Sequence, residues 1–155
     1  EIDDLDLIRL IEETGAFVVA DRFCFGSIPG REVIEIYEES DEDLLTQICR
    51  HYLEVSECPR FMSSEKVEQR RITVDRLARE YNADGVIYEQ IKFCDFWGFE
   101  RALASHIQAE EYGHPVLSID RPYSAKSSGQ LRTRMQAFVE SLEIKKIQKA
   151  KEARK

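Results

Sequence analysis

The amino-acid sequence predicts an α/β fold in which a short parallel sheet is flanked by helices in three layers. Two runs rich in β-branched residues, 86–91 and 116–120, are typical of strands, and a shorter apolar run covers residues 16–20. Helical periodicity fills most of the segments between these runs. Strands that alternate with helices imply parallel pairing through right-handed crossovers. We therefore predict one Rossmann-like (flavodoxin-like) domain over residues 1–155, in the loose sense because neither G-x-G-x-x-G nor a P-loop motif is present.

The first predicted elements are a helix and a strand. Ile8 and Ile11 share one face of a predicted helix over residues 3–14. Gly15 is placed to end this helix. The apolar run at 16–20 is continuous rather than alternating, which is typical of a strand covered on both faces. We expect this strand to belong to the sheet.

Two helices are predicted in the middle of the chain. Ser40 or Asp41 provides the N-cap of the first helix, which runs to about Val55. The second helix is capped by one of the two serines at residues 63–64 and ends near Tyr81. Both segments carry apolar residues at helical spacing, which indicates amphipathic helices.

The C-terminal half of the sequence alternates strand and helix. The strand at 86–91, the central one of the predicted sheet, leads through a short turn into a helix from about Phe96 to Tyr112. The strand at 116–120 follows, and the last helix starts near Ser128. The apolar positions of this last helix are predicted to face inward: Leu131, Met135, Phe138, Val139 and Leu142.

Charge and composition exclude several classes of protein. The chain has 155 residues and a formal net charge of −8, which argues against nucleic-acid binding because that function requires a basic face. It has no apolar stretch of about 18 residues and opens without a signal peptide, so no membrane association is expected. Four cysteines in a signal-less acidic chain indicate free thiols in a reducing compartment, and we expect a cytoplasmic protein.

Three cysteines are predicted to lie in loops, and Cys94 is the best candidate for chemistry. It follows the strand at 86–91 and stands just before a helix N-terminus, whose free N–H groups favour negative charge. A thiolate there would be stabilised, as a metal ligand or a nucleophile requires. Cys24 also follows a predicted strand, and Cys58 is held extended by Pro59. Ligands bind at the carboxyl ends of strands in open α/β sheets, and Cys24, Cys58 and Cys94 are expected at one such rim, where they are candidate metal ligands.

Two alternatives stay open from the residues alone. Cysteine is among the most buried residue types, so the three thiols could instead be core side chains of a non-catalytic α/β ligand-binding or interaction module. Cys94 could also be the nucleophile of a thiol enzyme, although no motif supports it and His106 and His114 are expected at the surface. Cys49 falls inside a predicted helix beside apolar neighbours and is assigned to the core.

Polar side chains in two other places are candidates for ligand binding. Gly26 and Ser27 offer backbone flexibility and hydrogen-bond donors where the chain approaches a ligand. Gln130, Arg132 and Arg134 stand at the start of the last helix, where they could reach an anionic ligand or could simply be solvated. Ser27 and Gln130 are the candidate cofactor-binding residues.

Aromatic residues surround Cys94 in the sequence. Trp97 and three phenylalanines, Phe93, Phe96 and Phe99, are predicted to pack together rather than to stack on a ligand. Packed in this way they would keep the Cys94 loop dry, and burial is one of the determinants of a redox potential.

Five stretches of the sequence together resemble one protein family. The most specific are D-G-V-I-Y-E-Q-I-K-F-C-D at 84–95 and G-Q-L-R-T-R at 129–134. The chain is similar to the subunits of 2-hydroxyacyl-CoA dehydratases and ATP-dependent benzoyl-CoA reductases, and its C-F-G-S-I-P-G segment resembles the benzoyl-CoA reductase branch more. The similarity covers most of the chain, through residues 18–27, 58–59, 83–95, 115–120 and 129–140.

This resemblance implies a specific function. The chain would be the C-terminal domain of a longer subunit and inactive alone. It would share in holding an oxygen-sensitive iron–sulfur cluster, of the [4Fe–4S] or double-cubane type. Cys94 matches the C-terminal ligand position of the family, Cys58 resembles a ligand of some branches, and Cys24 is a third candidate. An ATP-dependent activator protein would deliver low-potential electrons for one-electron reduction of an acyl-CoA or aromatic-CoA thioester, with a homologous second subunit completing the enzyme.

Overall fold

The computed structural model of the chain describes residues 5–24, 26–122 and 129–153. These ranges contain six helices and two strands, in the order expected for an α/β protein. The elements are α1 (Leu5–Glu12), α2 (Ser27–Gly30), α3 (Leu44–Glu54), α4 (Ser64–Glu80), β1 (Val86–Ile91), α5 (Asp95–Glu110), β2 (Val116–Arg121) and α6 (Gly129–Glu152).

The two strands pair in parallel, as predicted. Val86 of β1 lies opposite Val116 of β2, and the register continues to Ile91 opposite Arg121. A parallel pair needs a crossover connection, and α5 supplies it. In the described part of the chain the sheet has these two strands.

Each face of the sheet carries its own apolar cluster. Successive side chains of a strand point to opposite faces, so Ile87 and Tyr88 of β1 lie on different sides. On the Ile87 side, Ile119 packs with residues of α1 and α6: Leu7, Leu10, Ile11 and Met135. On the Tyr88 side, the cluster joins Val74 of α4 and Ala104 of α5. Helices on both faces are compatible with the predicted three layers, and the Rossmann-like assignment stays a prediction.

The predicted strand at 16–20 is wrong. These residues adopt no strand, and Phe17 is 82% exposed, whereas only Ala16 packs against the α1–α6 cluster. An apolar run becomes a strand only where a neighbouring strand accepts its backbone hydrogen bonds, and no strand of the described chain pairs with it. Cys24 therefore does not follow a strand, although it does lie in a loop.

Helix α3 differs from the prediction at its start and in its burial. Its N-cap is Asp43, whose Oδ1 accepts a hydrogen bond from the Thr46 N–H at 3.0 Å, rather than Ser40 or Asp41. None of its residues is buried, because α3 lies outside both apolar clusters. Cys49 is accordingly exposed, so its assignment to the core is wrong.

Local signals fix the ends of the other helices. Ser63 caps α4 as predicted, accepting from the Lys66 N–H at 3.2 Å. Gly15 ends α1 in the left-handed conformation that glycine adopts without penalty, with φ of 92°. Helix α5 spans Asp95–Glu110, one residue earlier at its start and two earlier at its end than predicted.

The last helix is described from Gly129, and its predicted start near Ser128 lies outside the described residues. Its predicted inner face is confirmed, since Met135 is buried and the other four members of the apolar row are half-buried. None of the helices in the described ranges is long and apolar enough to cross a membrane.

Candidate functional site

Cys94 is the N-cap residue of α5, directly after the turn that leaves β1. Its N–H donates to the Ile91 carbonyl at 3.0 Å, and its own carbonyl accepts the first helical bond, from the Gly98 N–H at 2.9 Å. The predicted position of this thiol, at the carboxyl end of a strand and the start of a helix, is confirmed.

The turn before Cys94 contains a strained residue. Phe93 has φ of 72°, in the left-handed region that bulky side chains rarely adopt. Its side chain is 97% exposed, so packing does not compensate for this conformation. Strained backbone of this kind is concentrated at active sites and ligand sites.

Cys24 lies against the same end of α5. The indole Nε1–H of Trp97 donates to the Cys24 Sγ at 3.0 Å. Trp97 belongs to the first turn of α5, three residues after Cys94. The loop that carries Cys24 is thus placed at the helix N-terminus that Cys94 caps.

The Cys58 segment is attached to both of these neighbours. Glu57 forms an ion pair with Arg22 of the Cys24 loop, with 2.5 Å between the Arg22 Nη2 and the Glu57 Oε2. Arg60 places its guanidinium carbon 5.4 Å from the ring centroid of Phe96, in the first turn of α5. The loops of all three predicted ligand cysteines therefore meet at one place.

A buried polar network lies behind this meeting point. Arg70, only 1% exposed, pairs with Glu100 of α5 at 2.8 Å and donates to the Phe61 carbonyl, also at 2.8 Å. The Tyr88 hydroxyl is buried beside these charges without a hydrogen-bond partner, and burial raises the pKa of Tyr88. Sequence analysis missed this network, and the one available signal was an arginine, Arg70, on the apolar face of α4.

The three thiols do not by themselves form a metal site. In the described ranges, no three His, Cys, Asp or Glu side chains come together to hold a metal ion. The cysteines are nevertheless free, and they lie on three neighbouring loops. Thiolates are the ligands that iron–sulfur clusters use, so the chemistry of these donors is compatible with such a group.

The other predicted ligand-binding residues lie apart from each other. Ser27 lines a cavity of about 340 Å³ together with Arg22, Arg31, Lys66 and Arg76, and its hydroxyl accepts from the Phe23 N–H at 2.9 Å. Gln130 is exposed at the start of α6 and does not line this cavity. Of its neighbours, Arg132 pairs with Glu13, and Arg134 donates to the Ser118 carbonyl at 2.7 Å.

The predicted aromatic cover over Cys94 is wrong. Phe93, Phe96 and Phe99 are all exposed, and only Trp97 is half-buried. The reason is the phase of α5, because the residues that face the interior begin at Glu100 and continue with Ala104. Because these aromatic side chains do not cover it, Cys94 is half-exposed.

The histidines do not complete a thiol catalytic pair. His106 is exposed, as predicted, whereas His114 is half-buried and its Nε2 lies 2.7 Å from the Asp75 carboxylate. In the described part of the chain no hydrogen bond joins a histidine to a cysteine. Such a base is one of the two common ways to activate a nucleophilic cysteine, and a helix N-terminus is the other.

The chain is similar to dehydratase subunits. Residues 1–142 match the family described as 2-hydroxyglutaryl-CoA dehydratase, D-component. A protein of Escherichia coli (strain K12) that carries the name of a dehydratase subunit, YjiM, is 27% identical over 137 residues, which are 88% of this chain and 33% of that protein. The (R)-phenyllactyl-CoA dehydratase beta subunit of Clostridium sporogenes is 29% identical over 140 residues, 90% of this chain and 35% of that subunit.

The chain thus spans about a third of the length of these two relatives. The predicted closeness to the benzoyl-CoA reductase branch is not tested by these matches and stays a prediction. The family match covers nearly the whole chain and agrees with the resemblance found in the sequence. The chain belongs to the 2-hydroxyglutaryl-CoA dehydratase D-component family.

Proposed function

We propose that this chain is the iron–sulfur-carrying part of an acyl-CoA dehydratase-type enzyme. The observation that carries the proposal is the convergence of three cysteine loops on the first turn of α5. Cys94 caps the helix, Cys24 accepts from Trp97, and Cys58 follows the residue that pairs with Arg22. The three thiolates would hold a [4Fe–4S] or double-cubane cluster, with further ligands from other chains or domains.

The cluster would supply single electrons at low potential to the thioester of the substrate. The residues of this chain would hold the cluster and adjust its potential. The Trp97 indole donates a hydrogen bond to the Cys24 sulfur, and such bonds raise the potential of a thiolate-bound centre. The three thiols are carried by three separate segments, and a cluster takes one thiolate per iron.

A CoA ester is the proposed substrate class because the name of the Clostridium sporogenes relative specifies an acyl-CoA. The cavity beside the cysteine loops does not add to this assignment. Its wall carries four cationic side chains, Arg22, Arg31, Lys66 and Arg76, and four carboxylates, Glu32, Glu54, Glu57 and Glu65. These charges balance, and Arg22 already pairs with Glu57, so the wall has no excess positive charge for the phosphate groups of CoA.

We infer dehydration rather than ring reduction as the reaction type, because the matching family and both relatives carry dehydratase names. The proposal includes a homologous second subunit and an ATP-dependent electron-donor protein as partners. It also includes a Rossmann-like, three-layer domain, supported by the apolar clusters on both faces of the parallel pair. Four free thiols support a reducing compartment, the cytoplasm.

The test is the iron and acid-labile sulfide content of the protein purified without oxygen. We expect Cys94→Ser to lose most of both, because the thiol at the helix N-terminus is removed. The matched control is Cys49→Ser, which changes an exposed cysteine in the middle of α3 and should leave both contents unchanged. Unchanged iron in Cys94→Ser would reject the proposal. A protein that never forms a brown chromophore on anaerobic reconstitution would favour the non-catalytic module instead.

A further inference from the structure

Gln90, near the end of β1, contacts the backbone of Cys94. Its side chain points to the face of the sheet that α5 covers, and its Nε2 donates to the Cys94 carbonyl at 3.2 Å. That carbonyl also accepts the first helical bond, from the Gly98 N–H at 2.9 Å. Two donors therefore act on one oxygen, one from the helix and one from the strand.

The amide of Gln90 is itself fixed by Arg101. The Arg101 Nε donates to the Gln90 Oε1 at 3.0 Å, so the amide can present only its NH₂ group to Cys94. The Arg101 Nη1 then donates to the Ser118 hydroxyl at 2.7 Å. Hydrogen bonds thus link Ser118 of β2 to Arg101 of α5, Arg101 to Gln90 of β1, and Gln90 to the Cys94 carbonyl. The side chains of this network are partly buried.

Gly98 leaves the space that this arrangement needs. A Cβ at position 98 would lie 2.5 Å from the Gln90 Nε2 and 3.1 Å from its amide carbon. Gly98 lies in a helix and has no unusual backbone angle. Its role is to let the Gln90 amide approach the helix backbone closely. The spacing Gln90, Cys94, Gly98 places the three residues at intervals of four, within the strand–turn–helix connection.

The strained turn explains why Cys94 needs such support. Phe93, one residue before it, holds a left-handed φ of 72° with an exposed side chain. A turn of this kind relaxes unless its surroundings determine it. The Gln90 amide holds the backbone of the residue that follows the strained position, and so it restrains the backbone that carries the Cys94 side chain.

We propose that Gln90 is a positioning residue for Cys94, held by Arg101 and Ser118 and accommodated by Gly98. The inference rests on the proposed function, because it assigns the purpose of the network to metal ligation by Cys94. Residues that hold a metal ligand typically change metal affinity about 10- to 100-fold when they are replaced.

The test uses Gln90→Glu and Gly98→Ala, purified without oxygen. Gln90→Glu keeps the acceptor for Arg101 but replaces the donor to the Cys94 carbonyl, and Gly98→Ala displaces the amide. The matched control is Gln136→Leu, an exposed glutamine of α6 that bonds Glu140. Iron retention is measured against an iron chelator, and amide hydrogen exchange is measured over residues 91–98.

We expect both variants to release iron about 10- to 100-fold more readily than the parent and the control. Exchange over residues 91–98 should be faster in both variants, even after iron is removed. Iron retention equal to that of the control, in a protein where Cys94→Ser does lose iron, would overturn this inference alone. If Cys94→Ser also keeps its iron, the proposed function fails and the inference fails with it.

Discussion

Two regions of the molecule are stabilised in different ways. The sheet half, made of β1 and β2 with α1, α4, α5 and α6, has an apolar cluster on each face of the strands. The loop segment, residues 16–62, carries Cys24 and Cys58, and Pro59 is the one buried residue among those described in it. Leu45 of its helix α3 is 69% exposed.

The loop segment is held to the sheet half mainly by polar and ring contacts. Glu57 accepts from Thr73 of α4, Arg60 lies over the ring of Phe96, and Trp97 donates to Cys24. Such contacts fix positions but contribute little net stability, since each replaces hydrogen bonds to water. The comparison teaches that two of the three cysteines sit on a segment that should open more readily than the sheet.

Breaking the sheet half at its buried ion pair should have the largest effect. Arg70→Met removes the partner of Glu100 and leaves a carboxylate buried, and we expect a loss of about 3 to 5 kcal/mol in the free energy of unfolding. Urea unfolding measures this change. The control is Arg76→Met, which removes an exposed cation of the same helix and should change stability little.

The double variant Arg70→Met with Glu100→Leu separates charge from packing. Replacing a buried pair by apolar residues is often close to neutral, so the double variant should recover most of the lost stability. If it is as unstable as the single variant, the Arg70 contact with the Phe61 carbonyl, and not the charge pair, is the main contribution.

Breaking the attachment of the loop segment should have a smaller and local effect. Glu57→Gln weakens the contact with Thr73 of α4 and, within the loop segment, the ion pair with Arg22. We expect the free energy of local opening to fall by about 1 to 3 kcal/mol, seen as faster hydrogen exchange over residues 21–31 and 56–61.

The same variant should leave exchange in β1 close to that of the parent protein. Glu39→Gln, at an exposed position of the same segment, is the matched control and should change neither region. Equal acceleration in the loop segment and in β1 would show that the two regions unfold as one unit.

A pH titration sharpens the comparison within the sheet half. Arg79, and after it His114, holds the pKa of Asp75 below its usual range. A carboxyl with a lowered pKa in the folded state stabilises the protein above the unfolded pKa, about 3.9. That contribution is lost as pH falls through the lower folded value. The difference in the free energy of unfolding between the parent and Asp75→Asn should therefore be constant near neutral pH and shrink under acid. We expect this change in free energy to be smaller than the one that Glu57→Gln causes in local opening. A difference that grows under acid would contradict this.

The smallest expected effect is a gain in stability, at the turn between β1 and α5 in the sheet half. Phe93→Asn replaces a bulky residue at φ of 72° with one that adopts the left-handed conformation more easily. Because the Phe93 side chain is exposed, its removal costs little packing. We expect the free energy of unfolding, measured by thermal unfolding, to increase by up to about 1 kcal/mol. Phe99→Asn, at an exposed helical position, is the control and should give no gain.

The sequence predicted the sheet half well because its signals are local. The β-branched runs, the Ser63 cap and the apolar row of α6 each specify their own element, and all three are observed. Cys94 was placed correctly for the same reason, since a strand end and a helix start define its position.

The rest depended on contacts between distant residues. The run at 16–20 resembles a strand, but pairing needs a neighbouring strand, and the residues themselves do not show whether one is present. Likewise, the apolar spacing of α3 predicted burial of Cys49, although a helix buries a face only where another element covers it. Two of the contacts join residues that are far apart in sequence, Arg22 with Glu57 and Trp97 with Cys24. No local sequence pattern could therefore predict them.

The most direct test of the central claim is which thiols a bound cluster protects. The protein purified without oxygen is alkylated before and after iron removal, and the modified cysteines are identified by mass spectrometry. We predict that Cys24, Cys58 and Cys94 are protected until iron is removed, while Cys49 is modified in both states. Equal modification of Cys94 with and without iron would contradict the account.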